Sequence, residues 1–167
     1  MVLELLAGFQ AWATEIIGAW GYLGIFIVSI IGNASIILPL PTVIFVFTFA
    51  SVLNPIALGI IAGAGSAIGE LTAYYAGRGG RKVLEQKYKS WFAMTKEWVK
   101  KRGMFIIIII FAATPLPADV VGLFAGMVRY DVKKFFIANV IGKIIKMTAV
   151  ALAGYYSLGF FLRLFGF

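Results

Sequence analysis

Residues 16–69, IIGAWGYLGIFIVSIIGNASIILPLPTVIFVFTFASVLNPIALGIIAGAGSAIG, form a run of 54 residues between Glu15 and Glu70 with no formal charge. A single bilayer span needs about 20 apolar residues, so the run is long enough to cross a membrane more than once. It does not read as two stacked spans, because Pro39-Leu40-Pro41 and Asn54-Pro55 interrupt it. Two prolines one residue apart remove backbone donors and forbid a continuous helix. Irregular backbone at membrane depth persists only where protein or a watery cavity surrounds it. The expectation is a re-entrant hairpin that enters over 22–38, turns at 39–41 and returns over 42–53, followed by a span over 56–77.

The whole chain has the same character. Of its 167 residues 62% are hydrophobic and 13% charged, with a mean hydropathy of +0.97. Soluble domains run at about 45–50% apolar and about 25% charged, so a soluble enzyme, a nucleic-acid module and a disordered tail are all excluded as classes. Histidine is absent, which removes Ser/His proteolysis, His-based phosphatase chemistry and HExxH zinc sites. With no acid–base–nucleophile set legible, neither an enzyme nor a cofactor or metal is expected. The acidic start, Glu4 and Glu15 without a basic n-region, reads as lacking a cleavable signal peptide.

The flanks of the uncharged run are polar in different ways. Over 1–19, Leu5, Leu6, Phe9, Trp12 and Ile16 fall at helical spacing. That pattern suits an interfacial or shallowly inserted helix, or the start of a longer span. Residues 78–102 hold nine of the fifteen Lys/Arg and two acids. Leu84, Tyr88, Trp91 and Trp98 share one helical face there, as in a basic amphipathic helix lying against anionic headgroups. This segment carries most of the net charge of +8; nucleic acid is the weaker reading of that charge. The positive-inside rule places the segment in the cytoplasm.

Beyond it the pattern returns. Residues 103–113 are too few to span, a second Pro-Leu-Pro follows at Pro115-Leu116-Pro117, and the chain returns over 120–128 to a polar turn at 129–134. A last span is expected over 135–157, with an aromatic tail over 158–167. The two Pro-Leu-Pro motifs lie 76 residues apart. With one inserted residue, Gly65 matches Gly142 and Ala76-Gly77 matches Ala153-Gly154. The reading is one all-α polytopic membrane domain with two repeats, 20–77 and 103–157. Each is a re-entrant helical hairpin followed by a transmembrane helix, and the basic amphipathic helix joins them. An odd number of crossings between the repeats inverts one relative to the other, an arrangement transporters use with the site at the repeat interface. Gly65, Gly69, Gly77, Gly126 and Gly142 are candidate positions of close helix approach. Pro39, Pro41, Pro115 and Pro117 are the expected hairpin tips.

Glu70, Asp119, Lys143, Lys146 and Arg129 are the ionisable groups expected at membrane depth. A charge at the bilayer centre costs about 2.5–3.5 kcal/mol on insertion scales, so such groups face protein or water. The expectation is that Glu70 and Asp119 pair with Lys146 and Lys143 around a polar cavity lined also by Asn33, Thr42 and Thr114. The alternative is that they are buried ion pairs that fix the fold without touching a substrate.

The stretches LPLPTVIFVFTFASVLNPIALGIIAGAGSAIGELTAYYAGRGG and FAATPLPADVVGLFAGMVRYDVKKFFIANVIGK resemble the DedA family of membrane proteins, the VTT or SNARE-associated Golgi protein group. The resemblance covers residues 20–157. It implies opposed re-entrant hairpins in the cell membrane and a lipid-translocating role. The lipid would be a polyprenyl-phosphate carrier in bacterial relatives or a phospholipid in eukaryotic ones, with proton coupling in some members. On that reading Lys143, Lys146 and Arg129 attract a lipid phosphate. The chain departs from the family where many members carry an acid in the first hairpin; here stand Asn33 and Thr42. It departs again where many carry arginines in the second; here stand Ala112-Ala113-Thr114 and Ala118-Asp119. Two other readings stay open: a proton-coupled carrier of a small solute or ion, and a non-transporting scaffold acting through the basic segment. So few spans also leave room for a homodimer.

Overall fold

The computed structural model describes residues 2–34, 42–87 and 103–164. The first Pro-Leu-Pro, with Pro39 and Pro41, lies outside the described residues, as do Tyr88, Trp91, Trp98 and the side chain of Leu84. Eight helices are described: α1 (Val2–Trp20), α2 (Tyr22–Ala34), α3 (Thr42–Phe49), α4 (Pro55–Gly69), α5 (Leu71–Lys87), α6 (Gly103–Ala113), α7 (Ala118–Met127) and α8 (Val132–Leu164). No strand occurs among the described residues.

Local chemistry sets the boundaries. Gly21 adopts φ +54 between α1 and α2, a conformation glycine takes without penalty. The N-terminal helix is therefore a separate element, not the start of a longer span. It packs on α2 and buries Ala13 and Ile17 in the core. Asn54 caps α4: its Oδ1 accepts from the Ile56 and Ala57 N–H groups at 3.1 Å, with Pro55 in the first turn. At the other end of α4 the helix breaks at Glu70 and resumes at Leu71. The Ala73 N–H bonds the Glu70 carbonyl at 3.1 Å, three residues back, so the turn is locally tightened.

Residues 55–80 and 132–157 are long and apolar enough to cross a bilayer. With 11 and 10 residues, α6 and α7 reach only about 15–17 Å each, half of the roughly 30 Å hydrocarbon core. Some boundaries differ from those expected. The second return arm starts at Ala118, because Pro117 is its N-cap and a proline is tolerated at a helix start. Its end is a Schellman motif: the Arg129 N–H bonds Gly126 O at 3.0 Å and the Tyr130 N–H bonds Ala125 O at 2.9 Å, with Arg129 at φ +54. Asp131 then accepts from the Lys134 N–H at 2.9 Å and starts α8 at Val132, three residues earlier than expected. The same helix runs on through Leu164, into the segment read as a separate tail. The basic segment likewise opens as a continuation of α5, helical through Lys87.

The packing crosses between the two halves. The first arms rest on the long helix of their own half, α2 on α4 and α6 on α8. The second arms rest on the long helix of the other half, α3 on α8 and α7 on α5. Glycines permit the closest approaches. A Cβ at Gly65 would stand 2.6 Å from the Phe26 carbonyl oxygen of α2, and one at Gly142 would stand 2.6 Å from the Ala112 Cβ of α6. One at Gly69 would strike the Ile30 carbonyl. Gly77 abuts the Leu123 carbonyl, Gly126 the Tyr74 carbonyl and Gly154 the Phe47 carbonyl, with no room for a side chain. All five glycines singled out from the sequence thus lie at helix contacts.

The outside is apolar and part of the inside is polar. Ile44, Ile60, Ile106, Ile110, Val120 and Ile145 are exposed, while Glu70, Lys143, Asn139, Ser66 and Ser29 are buried. That inverts the distribution of a soluble protein and is what lipid solvent selects. Two apolar cores form, one around Ile25, Val28, Leu58, Ala62 and Met147, the other around Tyr74, Met104, Ala125, Phe135 and Ala138. Glu70 falls between them along α4–α5, and Lys143 falls between them along α8. In the second core the Tyr74 ring lies 5.0 Å from that of Phe135, and its hydroxyl donates to the Tyr130 carbonyl, tying α5 to the α7–α8 turn. Tyr74→Phe is expected to lower stability by about 1 kcal/mol, measured by unfolding in mixed micelles. An unchanged midpoint would show that this tie is dispensable.

Candidate functional site

The break in α4–α5 exists where the chain places an acid in the membrane. Glu70 Oε2 meets Lys143 Nζ of α8 at 2.7 Å, with side chains 2% and 5% exposed. Lys143 Nζ also donates to Asn33 Oδ1 of α2 at 3.0 Å. Asn33 is oriented by its own donations, to the Ser29 carbonyl at 2.9 Å, the Ser66 hydroxyl at 3.0 Å and, more loosely, the Thr42 hydroxyl at 3.3 Å. An amide so held turns its oxygen toward the lysine. One side chain therefore joins α2, α3, α4 and α8.

Beside this cluster lies a cavity of about 470 Å³, whose lining combines the polar Asn33, Thr42, Asp119, Lys143 and Lys146 with Pro115 and Pro117 and the apolar Val43, Leu116, Val120, Leu123 and Met147. Asp119 enters it from the first turn of α7, where the helix N-terminus favours a negative charge. Glu70 interacts with Lys143 and Asp119, and Lys146 with Lys143, Glu70 and Asp119. Four charges, two of each sign, thus form one electrostatic unit at the second Pro-Leu-Pro.

The four-residue pairing expected from the sequence resolves unevenly. Glu70 closes on Lys143, not on Lys146. Asp119 and Lys146 face the cavity beside that pair. Asn33 and Thr42 line the cavity, and so do Pro115 and Pro117. Thr114 does not line it; its hydroxyl bonds back to the Ile110 carbonyl at 2.7 Å, completing the end of α6. Nor does Arg129 line it: Arg129 is exposed in the α7–α8 turn, which its positive φ closes. Sequence reasoning missed Ser66 and Asn139. Each sits four residues before a charged member of the cluster, Glu70 and Lys143, on the same helical face, and that spacing was the available signal.

A family model described as the VTT domain matches residues 40–156. A curated relative, the uncharacterized membrane protein YbfM of Bacillus subtilis (strain 168), is 28% identical over 138 residues, 77% of this chain and 85% of the relative. No solved structure matches the chain.

Proposed function

The chain belongs to the VTT-domain family of membrane proteins, and from that premise we propose that it moves a phosphate-bearing lipid between bilayer leaflets. The headgroup passes along the charged residues of the cavity while the acyl or prenyl tails stay in the bilayer. The observation that carries this reading is the mixed lining of the cavity, which combines Lys143, Lys146 and Asp119 with Val43, Leu116 and Val120. Its volume of about 470 Å³ fits a headgroup, not a whole lipid. Ammonium groups are point-charge partners for a phosphate. With Lys143 balanced by Glu70, the described residues of the lining leave Lys146 as a cation and Asp119 as an anion. That balance favours a phospholipid headgroup carrying one phosphate charge and a cation over the dianion of a polyprenyl phosphate.

The supporting architecture is a pair of inverted repeats with re-entrant hairpins. Arms too short to span, exchanged between the long helices of the two halves, favour it. So does the matched pair of glycine contacts. Gly77 meets Leu123 and Gly154 meets Phe47, and Leu123 and Phe47 are 76 residues apart, the same offset as the Pro-Leu-Pro motifs. On this reading the basic segment 78–102 lies against anionic headgroups on the cytoplasmic side of the plasma membrane, and the protein is a transporter without covalent chemistry.

Purified protein in liposomes is expected to accelerate exchange of a headgroup-labelled phospholipid between leaflets. Lys146→Met and Asp119→Asn should each slow it by roughly tenfold, the effect of about 1.4 kcal/mol lost from the path. Folded wild-type protein no faster than empty liposomes would sink the proposal. Two unimpaired variants would return these residues to a purely structural role. One observation favours a coupled version: Glu70 and Asp119 are two carboxyl groups of one charged cluster, the kind of group from which membrane proton relays are built. An imposed proton gradient then changes the rate or direction of lipid movement.

A further inference from the structure

Asn139 of α8 is fully buried, yet neither its amide nitrogen nor its amide oxygen has a hydrogen-bond partner among the described residues. The same holds for Glu70 Oε1. Both side chains open on one narrow void, shared with Ala118 and Phe135 and too small to seat a water. Buried polar atoms are almost always satisfied, so a wholly orphaned amide beside an orphaned carboxylate oxygen calls for a reason.

The geometry around Glu70 supplies one. Asn139 and Lys143 are one helical turn apart on the same face of α8. Lys143 takes Oε2, while Asn139 and Glu70 line the same void and Oε1 is left without a hydrogen bond. Lys143 also lines the cavity, so a phosphate arriving there competes with Glu70 for the same ammonium group. Once Lys143 turns away, the carboxyl needs another partner in a place water does not reach. The charged groups facing it are Lys143 and Lys146 from α8 and Asp119 from α7; α2 presents the neutral Asn33, and α6 presents Ile108, Phe111 and Ala112. An amide suits both states of the carboxyl, because its nitrogen donates to a carboxylate and its oxygen accepts from a carboxylic acid.

We infer that Asn139 is a positioning residue, the standby partner that takes over Glu70 when Lys143 turns to a lipid phosphate in the cavity. The inference rests on the lipid-phosphate reading above. It explains why an amide is kept where leucine would pack without orphaned atoms.

The test uses the full chain with two readouts: the shift in unfolding temperature produced by a soluble short-chain phospholipid, and lipid exchange in liposomes. Asn139→Leu is expected to leave the lipid-free unfolding temperature unchanged or raised. It should reduce both the lipid-induced shift and the exchange rate, the latter by about fivefold, within the usual range of coupling between neighbouring residues. In a Glu70→Gln background, where there is no carboxyl to receive, Asn139→Leu should cause no further loss. Asn139→Ala, which removes the amide without adding bulk, should behave the same way. An Asn139→Leu protein as responsive and as fast as wild type overturns the inference. So does an equal loss with and without Glu70, which would mark a packing effect. Coupling seen in the unfolding shift without lipid exchange by the wild type would reject transport and keep the standby role. Exchange without coupling would reject the standby role alone.

Discussion

Lys143→Met is expected to cost the folded protein about 3–5 kcal/mol, the usual loss when one member of a buried ion pair is removed and the other stays charged. Methionine fills much of the lysine's volume, so the loss is not chiefly one of packing. It arises because Glu70, 2% exposed and 2.7 Å from the ammonium group, is left with no compensating cation at its Oε2, and Asn33 Oδ1 loses its donor. The double variant Glu70→Gln/Lys143→Met should recover most of that loss, because exchanging a whole buried pair for neutral groups of similar volume is often neutral or stabilising. Unfolding in mixed micelles measures both. Lipid exchange by the double variant then separates two roles: a stable protein without transport shows that the pair serves the path, and a stable protein with full transport shows that it serves only the fold. A loss below about 1 kcal/mol for the single variant would mean that the neutral amide of Asn139 compensates the carboxyl as well as the ammonium group does.

Gly126→Ala and Gly77→Ala are expected to be the most damaging small substitutions in the chain. A Cβ at Gly126 would lie inside the Tyr74 carbonyl, and one at Gly77 inside the Leu123 carbonyl. The obstacle in each case is backbone, which cannot rotate aside, so α5 and α7 must separate. Overpacking of this kind costs about 1–3 kcal/mol, sometimes more, and it would also move Asp119 away from Glu70. Gly79 and Gly80 provide the internal control. Nothing lies within 4 Å of a Cβ at either position, and each lies within α5, so Gly79→Ala and Gly80→Ala should stabilise by up to about 1 kcal/mol through helix propensity alone. Equal effects at the two pairs of sites would refute the close α5–α7 contact.

Much of the fold was legible because lipid imposes simple rules on a chain. An uncharged run must lie in the membrane, paired prolines must break a helix, and repeated glycines must face neighbouring backbone. Those rules located α2, α6, both long helices, the helix break at Pro115 and Pro117, and the contacts of Gly65, Gly69, Gly77, Gly126 and Gly142. Helix ends were less legible, since they depend on caps. Asp131 and Arg129 were read as parts of a polar turn, whereas one starts α8 and the other closes α7.

The amino-acid order by itself determined that Glu70 and the lysines of α8 lie within apolar segments and need polar partners, because lipid offers them none. It could not determine which would touch. Along the sequence Lys143 and Lys146 are near-equivalent candidates, three residues apart, and a choice between them depends on the angular setting of α8 against α4. The tertiary structure made that choice through the glycines of α4. Cβ atoms at Gly59 and Gly63 would collide with Thr148 and Ile144, so their absence brings the backbones together with Lys143 turned toward Glu70 and Lys146 left to the cavity. The same contact placed Asn139 and Glu70 on one void. Partner choice in a core is a property of how two helices meet, and that is decided by every residue between them at once.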